Sequence, residues 1–352
     1  MNSLSICTIM KNEEKHLDAF LTAIEKHLKS YDYEIILVDT GSTDQSIDIA
    51  TRHGINPYHF KWVSDFSAAR NYAAMQASND LILALDCDEY IVSEALRDFL
   101  NNSIPKTFIG SLSIINHFNG PSGQETYTTK LPRMYSKSSV HFEGTVHEQL
   151  VPQNCDCKFI DINLTVEHFG YAGSMDEIQA KVARNADLLL AQANSNPNNP
   201  YTYFQLGQCY NMIHDVEKSL EFYEKAMSLD INPSLEYTQM LITAYGYALM
   251  KSGRLEDALS LAVYNEALGS NADYLCMIGL AYMRSGNMLN AMQAFLNAVS
   301  QKECHTYGCN SFIPLFNMGQ INELLGNPQG AILLYEKCND YEPALLRLKE
   351  IK

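Results

Sequence analysis

Asp86, Asp88 and Glu89 close the continuous apolar run Leu81-Ile82-Leu83-Ala84-Leu85, and no other residues of this chain suggest chemistry so directly by type and spacing. A short apolar run of this kind reads as a buried strand. Side chains alternate along an extended chain, so two of the three carboxylates fall on the same side. Hard oxygen ligands placed there suit Mg²⁺ or Mn²⁺ that also binds phosphate oxygens. Read alone, an Asp-x-Asp is better explained by a solvated acidic turn, so neighbouring segments must decide.

Two upstream segments have the same form, a short apolar strand ending in polar groups. Ser5 to Ile9 leads into Met10-Lys11-Asn12-Glu13-Glu14, and Glu34 to Val38 leads into Asp39-Thr40-Gly41-Ser42-Thr43-Asp44. Asp39 can accept hydrogen bonds from a base or ribose, Gly41 permits the turn, and Ser42 or Thr43 can cap the helix that follows. Helical patterns fill the intervals at Glu14 to Lys29, Asp44 to His53 and Asp65 to Ala77. Strands alternating with helices imply right-handed crossovers and a mainly parallel sheet, with ligands gathered beyond the carboxyl ends of its strands. Asp39 and Asp86 both stand at such ends.

From Phe108 to about Phe169 the texture changes to shorter β-rich runs, Ile109 to Asn116, Val140 to Phe142 and Lys158 to Val166, broken by Gly and Pro. Asn119-Gly120-Pro121-Ser122-Gly123 reads as a loop. After Tyr171 the pattern is helical throughout, with a polar break at Ser195 to Pro200. This second half repeats. Gly207, Gly246, Gly279 and Gly319 are followed twelve residues later by Ser219, Ala258, Ala291 and Ala331, and sixteen later by Tyr223, Ala262, Phe295 and Tyr335. Such spacing is tetratricopeptide-like, the clearest units being Tyr203 to Met227 and Leu275 to Ala298. Three segments follow: a nucleotide-binding α/β domain over 1–170, a helical linker over 171–200, and a repeat domain over 201–352.

Composition narrows the function. With 46% hydrophobic residues the 352-residue chain has apolar material for two cores. Its net charge of -16 disfavours nucleic acid, so an anionic ligand needs a local device to hold it. No apolar run approaches the roughly 18 residues of a membrane span, and the N-terminus lacks a signal-peptide pattern, so a cytoplasmic protein is expected. Of nine cysteines, Cys155 and Cys157, and Cys304 with His305 and Cys309, look like metal fragments, but neither group has a second pair at zinc spacing.

The first 170 residues resemble an inverting family 2 glycosyltransferase of the GT-A fold. The matching motifs are Thr8 to Glu14, Val38 to Asp44, Asp65-Phe66-Ser67-Ala68-Ala69-Arg70-Asn71 and Asp86 to Glu89. Leu131-Pro132-Arg133, Gly144-Thr145-Val146-His147-Glu148 and His168-Phe169-Gly170-Tyr171 match the branch with C-terminal tetratricopeptide repeats, similar to peptide and protein glycosyltransferases of the glycocin S-glycosyltransferase type. The leading motif departs from the wider family in lacking its Pro and Tyr.

That resemblance implies roles. Thr8, Ile9 and Glu13 would line the base and ribose of a UDP-sugar, Asp39 would read the uracil edge, and Arg70 would steady the diphosphate or order nearby carboxylates. Asp86 and Asp88 would hold Mn²⁺ or Mg²⁺, with His168 and then His147 as further ligands for metal or phosphate, and Arg133 would contact an anion. Inversion needs a general base opposite the leaving group, for which Glu148 is the nominee and Glu89 the rival. The acceptor expected is a peptide or protein side chain of Ser, Thr or Cys; a surface glycan or lipid-linked sugar is the alternative, and an inactive repeat scaffold the alternative of another class. Phe312, Phe316 and Tyr335 could furnish a homodimer face. A nucleotidyltransferase would need a Gly-rich, basic phosphate loop near the N-terminus, and none is present.

Overall fold

The computed structural model describes residues 2–120, 123–153, 156–171 and 175–351. Pro121, Ser122 and Cys155, which belong to the loop and the metal fragment noted above, lie outside the described residues. The chain divides into two compact units, Met1–Leu188 and Leu189–Lys352.

The first unit opens with β1 (Leu4–Met10), α1 (Leu17–Leu28), β2 (Tyr33–Asp39), α2 (Ser46–Arg52), the short β3 (Tyr58–His59), α3 (Phe66–Gln76) and β4 (Leu81–Ala84). Then come β5 (Glu89–Glu94), α4 (Arg97–Asn101), β6 (Phe108–Gly120), β7 (Gly123–Ser136), β8 (Val140–Glu143), β9 (Gln149–Pro152), β10 (Lys158–Tyr171) and α5 (Met175–Ser195), which runs past the end of the unit. One eight-stranded sheet has the order β3-β2-β1-β4-β7-β6-β10-β5, and β8 pairs with β9 separately. Strands β3, β2, β1 and β4 are parallel, as expected from alternating strands and helices. Beyond β4 the sheet is mixed: β7 runs antiparallel to β4 and β6, and β5 antiparallel to β10, while β6 and β10 are parallel. The parallel expectation, drawn from the first ninety residues, does not extend there because β6 and β7 are joined as a hairpin, which needs no crossover.

Apolar side chains cover both faces. On one, α1, α2 and α4 pack Leu17, Phe20, Ile49 and Leu100 against Leu4, Ile6 and Met10. On the other, Ala73 and Ala74 of α3 and Ala77 just after it, with Val140, Phe142 and Leu150 of the β8–β9 hairpin, cover Cys7, Ile36 and Ile82. Asn71 locks that hairpin to α3, its amide donating to Phe142 O (2.8 Å) and accepting from Phe142 N (2.9 Å). Asp65 caps α3 by accepting from Ala68 N (2.9 Å).

The second unit is helical: α6 (Pro200–Met212), α7 (Val216–Met227), α8 (Glu236–Lys251), α9 (Leu255–Ser260), α10 (Asn265–Leu268), α11 (Ala272–Arg284), α12 (Met288–Val299), α13 (Phe312–Leu324), α14 (Pro328–Glu336) and α15 (Glu342–Ile351). Gly207, Gly279 and Gly319 each lie against the ring sixteen residues on, Tyr223, Phe295 and Tyr335, so closely that a β-carbon would collide with it. Gly246 departs from the pattern. Its partner is Met277 of α11, because Ala262 offers no ring, and the second helix of that unit breaks into α9, a 3₁₀ turn and α10. Phe312, Phe316, Tyr335 and Tyr341 pack on one another at centroid distances of 4.7–5.5 Å. Tyr335 is sealed in the unit's own core and so is no part of the self-association face expected from the sequence, while Phe312 and Phe316 are half-buried beside it.

Candidate active site

The turns that follow β1 and β2 are tied together. Asn12, with φ of 58°, accepts from Thr43 N (2.8 Å) through its side chain and donates its own N–H to Ser42 Oγ (3.0 Å). Glu13 N donates to Ser46 Oγ (2.7 Å) and Glu14 N to Asp44 Oδ2 (3.1 Å). Ser42 and Thr43 thus join the turns rather than cap α2, which has no side-chain cap at Gln45. Asp39 is buried, and its two oxygens accept from Gly41 N (3.2 Å) and Ser42 N (3.0 Å), which sets the turn that Gly41 completes at φ of 115°.

Thr8 requires a correction. It shares a strand face with Ile6 and Met10, is fully buried, and its hydroxyl has no partner among the described residues. It cannot touch a nucleotide. Ile9, on the other face, is half-buried at the end of the strand.

Five charged side chains meet beyond β4. Arg70, 7% exposed, donates from Nη2 to Asp86 Oδ1 (2.7 Å) and from Nε to Glu148 Oε1 (2.5 Å), with its guanidinium over the Phe142 ring. Arg133 Nη2 reaches Glu89 Oε1 (2.6 Å) and Asp86 Oδ2 (3.3 Å). The direction of Arg133 has a local cause. Ser111 pairs with Pro132 and Gly110 with Met134, so Arg133 is the extra residue of a bulge at Pro132, which has no N–H for the ladder. Burial pushes the Asp86 carboxyl up, but Arg70 and then Arg133 more than reverse this and hold it well below the usual range.

Both arginines serve the second of the two roles open to Arg70, ordering carboxylates. Glu89 is 1% exposed, with Oε2 accepting from Asp86 N (3.1 Å), and burial raises its carboxyl despite Arg133. The rival base is therefore sealed inside the network. Glu148 is more open, at 10% exposure of its side chain, and sits in the five-residue loop between β8 and β9. Thr145 O in that loop accepts from Phe66 N (2.9 Å), which docks it on the start of α3.

Asp88 stands apart from the arginines. His168 of β10 pairs in register with Glu89 of β5 on one side and Asn116 of β6 on the other, and its Nε2 lies 3.5 Å from Asp88 Oδ2. Its Nδ1 is 2.8 Å from Asn116 Oδ1. Asn116 donates its amide N–H to Thr129 Oγ1 (3.1 Å), which leaves Oδ1 to accept from Nδ1–H. The neutral imidazole then carries its lone pair on Nε2, facing Asp88, as a metal ligand requires. Burial disfavours a charged His168, but contact with Asp88 outweighs it and raises the imidazole pKa.

An oxygen and a nitrogen donor so placed fit Mn²⁺ or Mg²⁺ as two ligands of a larger set. Among the described residues no three His, Cys, Asp or Glu side chains form a metal-holding group. Asp86, turned to its arginines, and His147, exposed with φ of 52°, therefore do not complete the Asp88–His168 pair. Glu13 faces the same corner: burial first, then the charges of Asp88 and Asp86, raise its carboxyl to about 7.

The glycosyl transferase family 2 profile matches residues 5–147, and a tetratricopeptide repeat profile matches 200–232 and 272–303. The chain is a glycosyltransferase with a family 2 domain. Glycosyltransferase SunS of Bacillus subtilis is 24% identical over 297 residues, covering 83% of this chain and 68% of that protein. A tetratricopeptide repeat-containing protein of Synechococcus elongatus is 24% identical over 79% of this chain and 69% of its own length. The poly(ribitol-phosphate) beta-N-acetylglucosaminyltransferase TarS of Staphylococcus aureus is 30% identical over 106 residues, 28% of this chain and 18% of TarS. The repeat matches coincide with the two units read most clearly from spacing. No helix among the described residues is long and apolar enough to cross a membrane.

Sequence reasoning missed two cations, Lys181 and Arg184 of α5. The charge of Lys181 acts on Glu13, His147 and His168, and Arg184 interacts with Glu13. Their one signal was a Lys-x-x-Arg spacing, which puts both on one helix face.

Proposed function

We propose that this glycosyltransferase moves a hexose or N-acetylhexosamine from a UDP-sugar to a Ser, Thr or Cys side chain of a peptide or protein, with inversion and with Mn²⁺ or Mg²⁺ bound. The observation that carries the metal requirement is the Asp88–His168 pair, with the His168 tautomer set by Asn116. A bound divalent ion would neutralise charge developing on the leaving diphosphate. Asp39 and the tied turns around Asn12 and Ser42 form a rigid wall for the nucleoside, and Glu13 faces the same corner.

Glu148 is the base this reading requires. Arg70 takes one of its oxygens, and the second has no hydrogen bond from the described residues, which leaves it able to receive the acceptor proton. Arg70 and Arg133 keep Asp86 and Glu89 folded beneath the site, which positions Asp88 on the turn between them. The peptide or protein acceptor is supported by a repeat array of the kind that offers extended surfaces to polypeptides. The short match to TarS favours a second reading, transfer to a glycan or polyol phosphate.

The test is UDP release from a panel of UDP-sugars with Mn²⁺, against peptide and polyol-phosphate acceptors, for the wild type and Asp88→Ala. Metal-dependent release with a peptide, lost in Asp88→Ala, is the expected result. Release only with the polyol phosphate would transfer the conclusion to the second reading, and no metal-dependent turnover with any donor would end both.

A further inference from the structure

We propose that Lys181 and Arg184, on one face of α5, form the cationic seat for the diphosphate of the donor, a reading that rests on the UDP-sugar assignment above. Two cations of the site are already paired with carboxylates. Arg70 is buried against Asp86 and Glu148, and Arg133, 14% exposed, pairs with Glu89 and Asp86. Nη1 of Arg70 and Nε of Arg133 have no acceptor among the described residues and are sealed from solvent. A phosphate could reach them only by breaking the pairs that hold the site together.

The same corner also carries the negative charge of Asp88, which helps raise the Glu13 carboxyl, so an approaching diphosphate meets a field of its own sign unless cations stand at the rim. Lys181 and Arg184 are so placed. Lys181 is half-buried and within electrostatic reach of Glu13, His147 and His168, residues contributed by the turn after β1, the β8–β9 loop and β10. Arg184 is exposed, and its guanidinium lies 5.2 Å over the Phe66 ring, which is held edge-on by Trp62 at 4.8 Å. Phe66 N donates to the β8–β9 loop at Thr145 O, so the stacked arginine is fixed relative to the loop that carries Glu148. Arg184 Nε and Nη2 both donate to Asn185 Oδ1, at 3.2 and 3.1 Å. An arginine stacked in this way has lost most of its rotamer freedom before a ligand arrives, and three residues along a helix brings Lys181 beside it.

The test compares UDP with uridine by titration calorimetry on the full chain, for the wild type, the double variant Lys181→Ala with Arg184→Ala, and the charge-keeping pair Lys181→Arg with Arg184→Lys. Two lost charge-assisted contacts should weaken UDP binding about tenfold or more while uridine affinity holds, and the charge-keeping pair should restore most of it. A double alanine variant that binds UDP within about twofold of wild type overturns the proposal, since a tenfold change is the smallest it expects. Loss of uridine binding as well would mean a damaged fold, and the exposed single change Arg184→Gln then decides by the same UDP-to-uridine ratio. A wild type that binds neither ligand overturns the donor assignment itself, whereas one that binds UDP no better than uridine overturns only the cationic seat.

Discussion

In the first unit, five charged side chains pack against one another at the carboxyl edge of a sheet, whereas in the second the corresponding close contacts are glycines against a tyrosine or phenylalanine ring. The two solutions do different work. Ion pairs with buried partners gain little net stability, because desolvation offsets the attraction, but they are directional and leave costly orphans when one member is lost. They suit a place where a turn and a loop must be held in one position. Glycine against a ring is undirected packing that can be repeated down an array, and it tolerates substitution at nearly every other position.

The largest effect should come from breaking the ionic solution. Arg70→Ala strands Glu148 and leaves Asp86 to Arg133 alone, and unfolding of the first unit in urea should show a loss of about 3 kcal/mol, the lower end for a broken buried pair because Asp86 is one-third exposed and keeps one partner. The second unit's transition should not move. An unchanged first transition would show that the network is ornament. Next in size is Asp88→Asn, which leaves the arginine network alone: transfer should fall by about 10²–10³-fold with melting temperature unchanged. If stability fell as much as activity, Asp88 would belong with Asp86 after all.

How far the sequence could be read follows the same division. Asp86 and Asp88 stood out because they end a strand, and Arg70 and His168 because they lie in motifs of the family resemblance; the structure joins them as two pairs, Arg70 with Asp86 and His168 with Asp88. Thr8 was misplaced although its strand was right, because alternation puts it with Ile6 and Met10 in the α1-side core. Arg133 could be named but not aimed, since its direction depends on a bulge that forms only against Gly110 and Ser111 of another strand. Glu89 looked like an accessible carboxylate until β10 and β7 closed over it. Lys181 and Arg184 were invisible, because nothing within α5 says that this face looks toward Glu13. In the repeat unit spacing alone predicted the contacts, and it failed only at Gly246, where Ala262 replaced the ring.

That exception gives a smaller and sharper test. Replacing a helical glycine with alanine gains up to about 1 kcal/mol of propensity, while overpacking a core costs about 1–3 kcal/mol. At Gly207 the new methyl would strike the buried Tyr223 ring, which has nowhere to move, so Gly207→Ala should destabilise the second unit by about 1–2 kcal/mol. At Gly246 it would meet the flexible Met277 side chain, so Gly246→Ala should lie within about 0.5 kcal/mol of wild type. Equal losses at the two sites would refute the distinction between ring and thioether.

The smallest effects separate the units by pH and salt. Burial would raise the Glu34 carboxyl in the first unit, but hydrogen bonds from Ser5 Oγ (2.5 Å), Ser78 Oγ (2.7 Å), Ser78 N (2.6 Å) and Asn79 N (3.3 Å) prevail and lower it. In the second unit Glu323 is lowered chiefly by Arg347, which is 40% exposed. A carboxyl whose folded pKa is depressed contributes stability in full above its unfolded value, about 4.3, and loses it as pH falls through the folded one. The advantage of wild type over Glu34→Gln and over Glu323→Gln should therefore hold at pH 7 and shrink below about pH 4.3. Added salt tells the two apart. At about 1 M NaCl the Debye length is about 3 Å, so the partly exposed Glu323–Arg347 contribution should fall at pH 7, while the one built on neutral donors around Glu34 should persist. A Glu34 contribution that fell with salt as steeply as that of Glu323 would mean that distant charge, not the four local donors, depresses it.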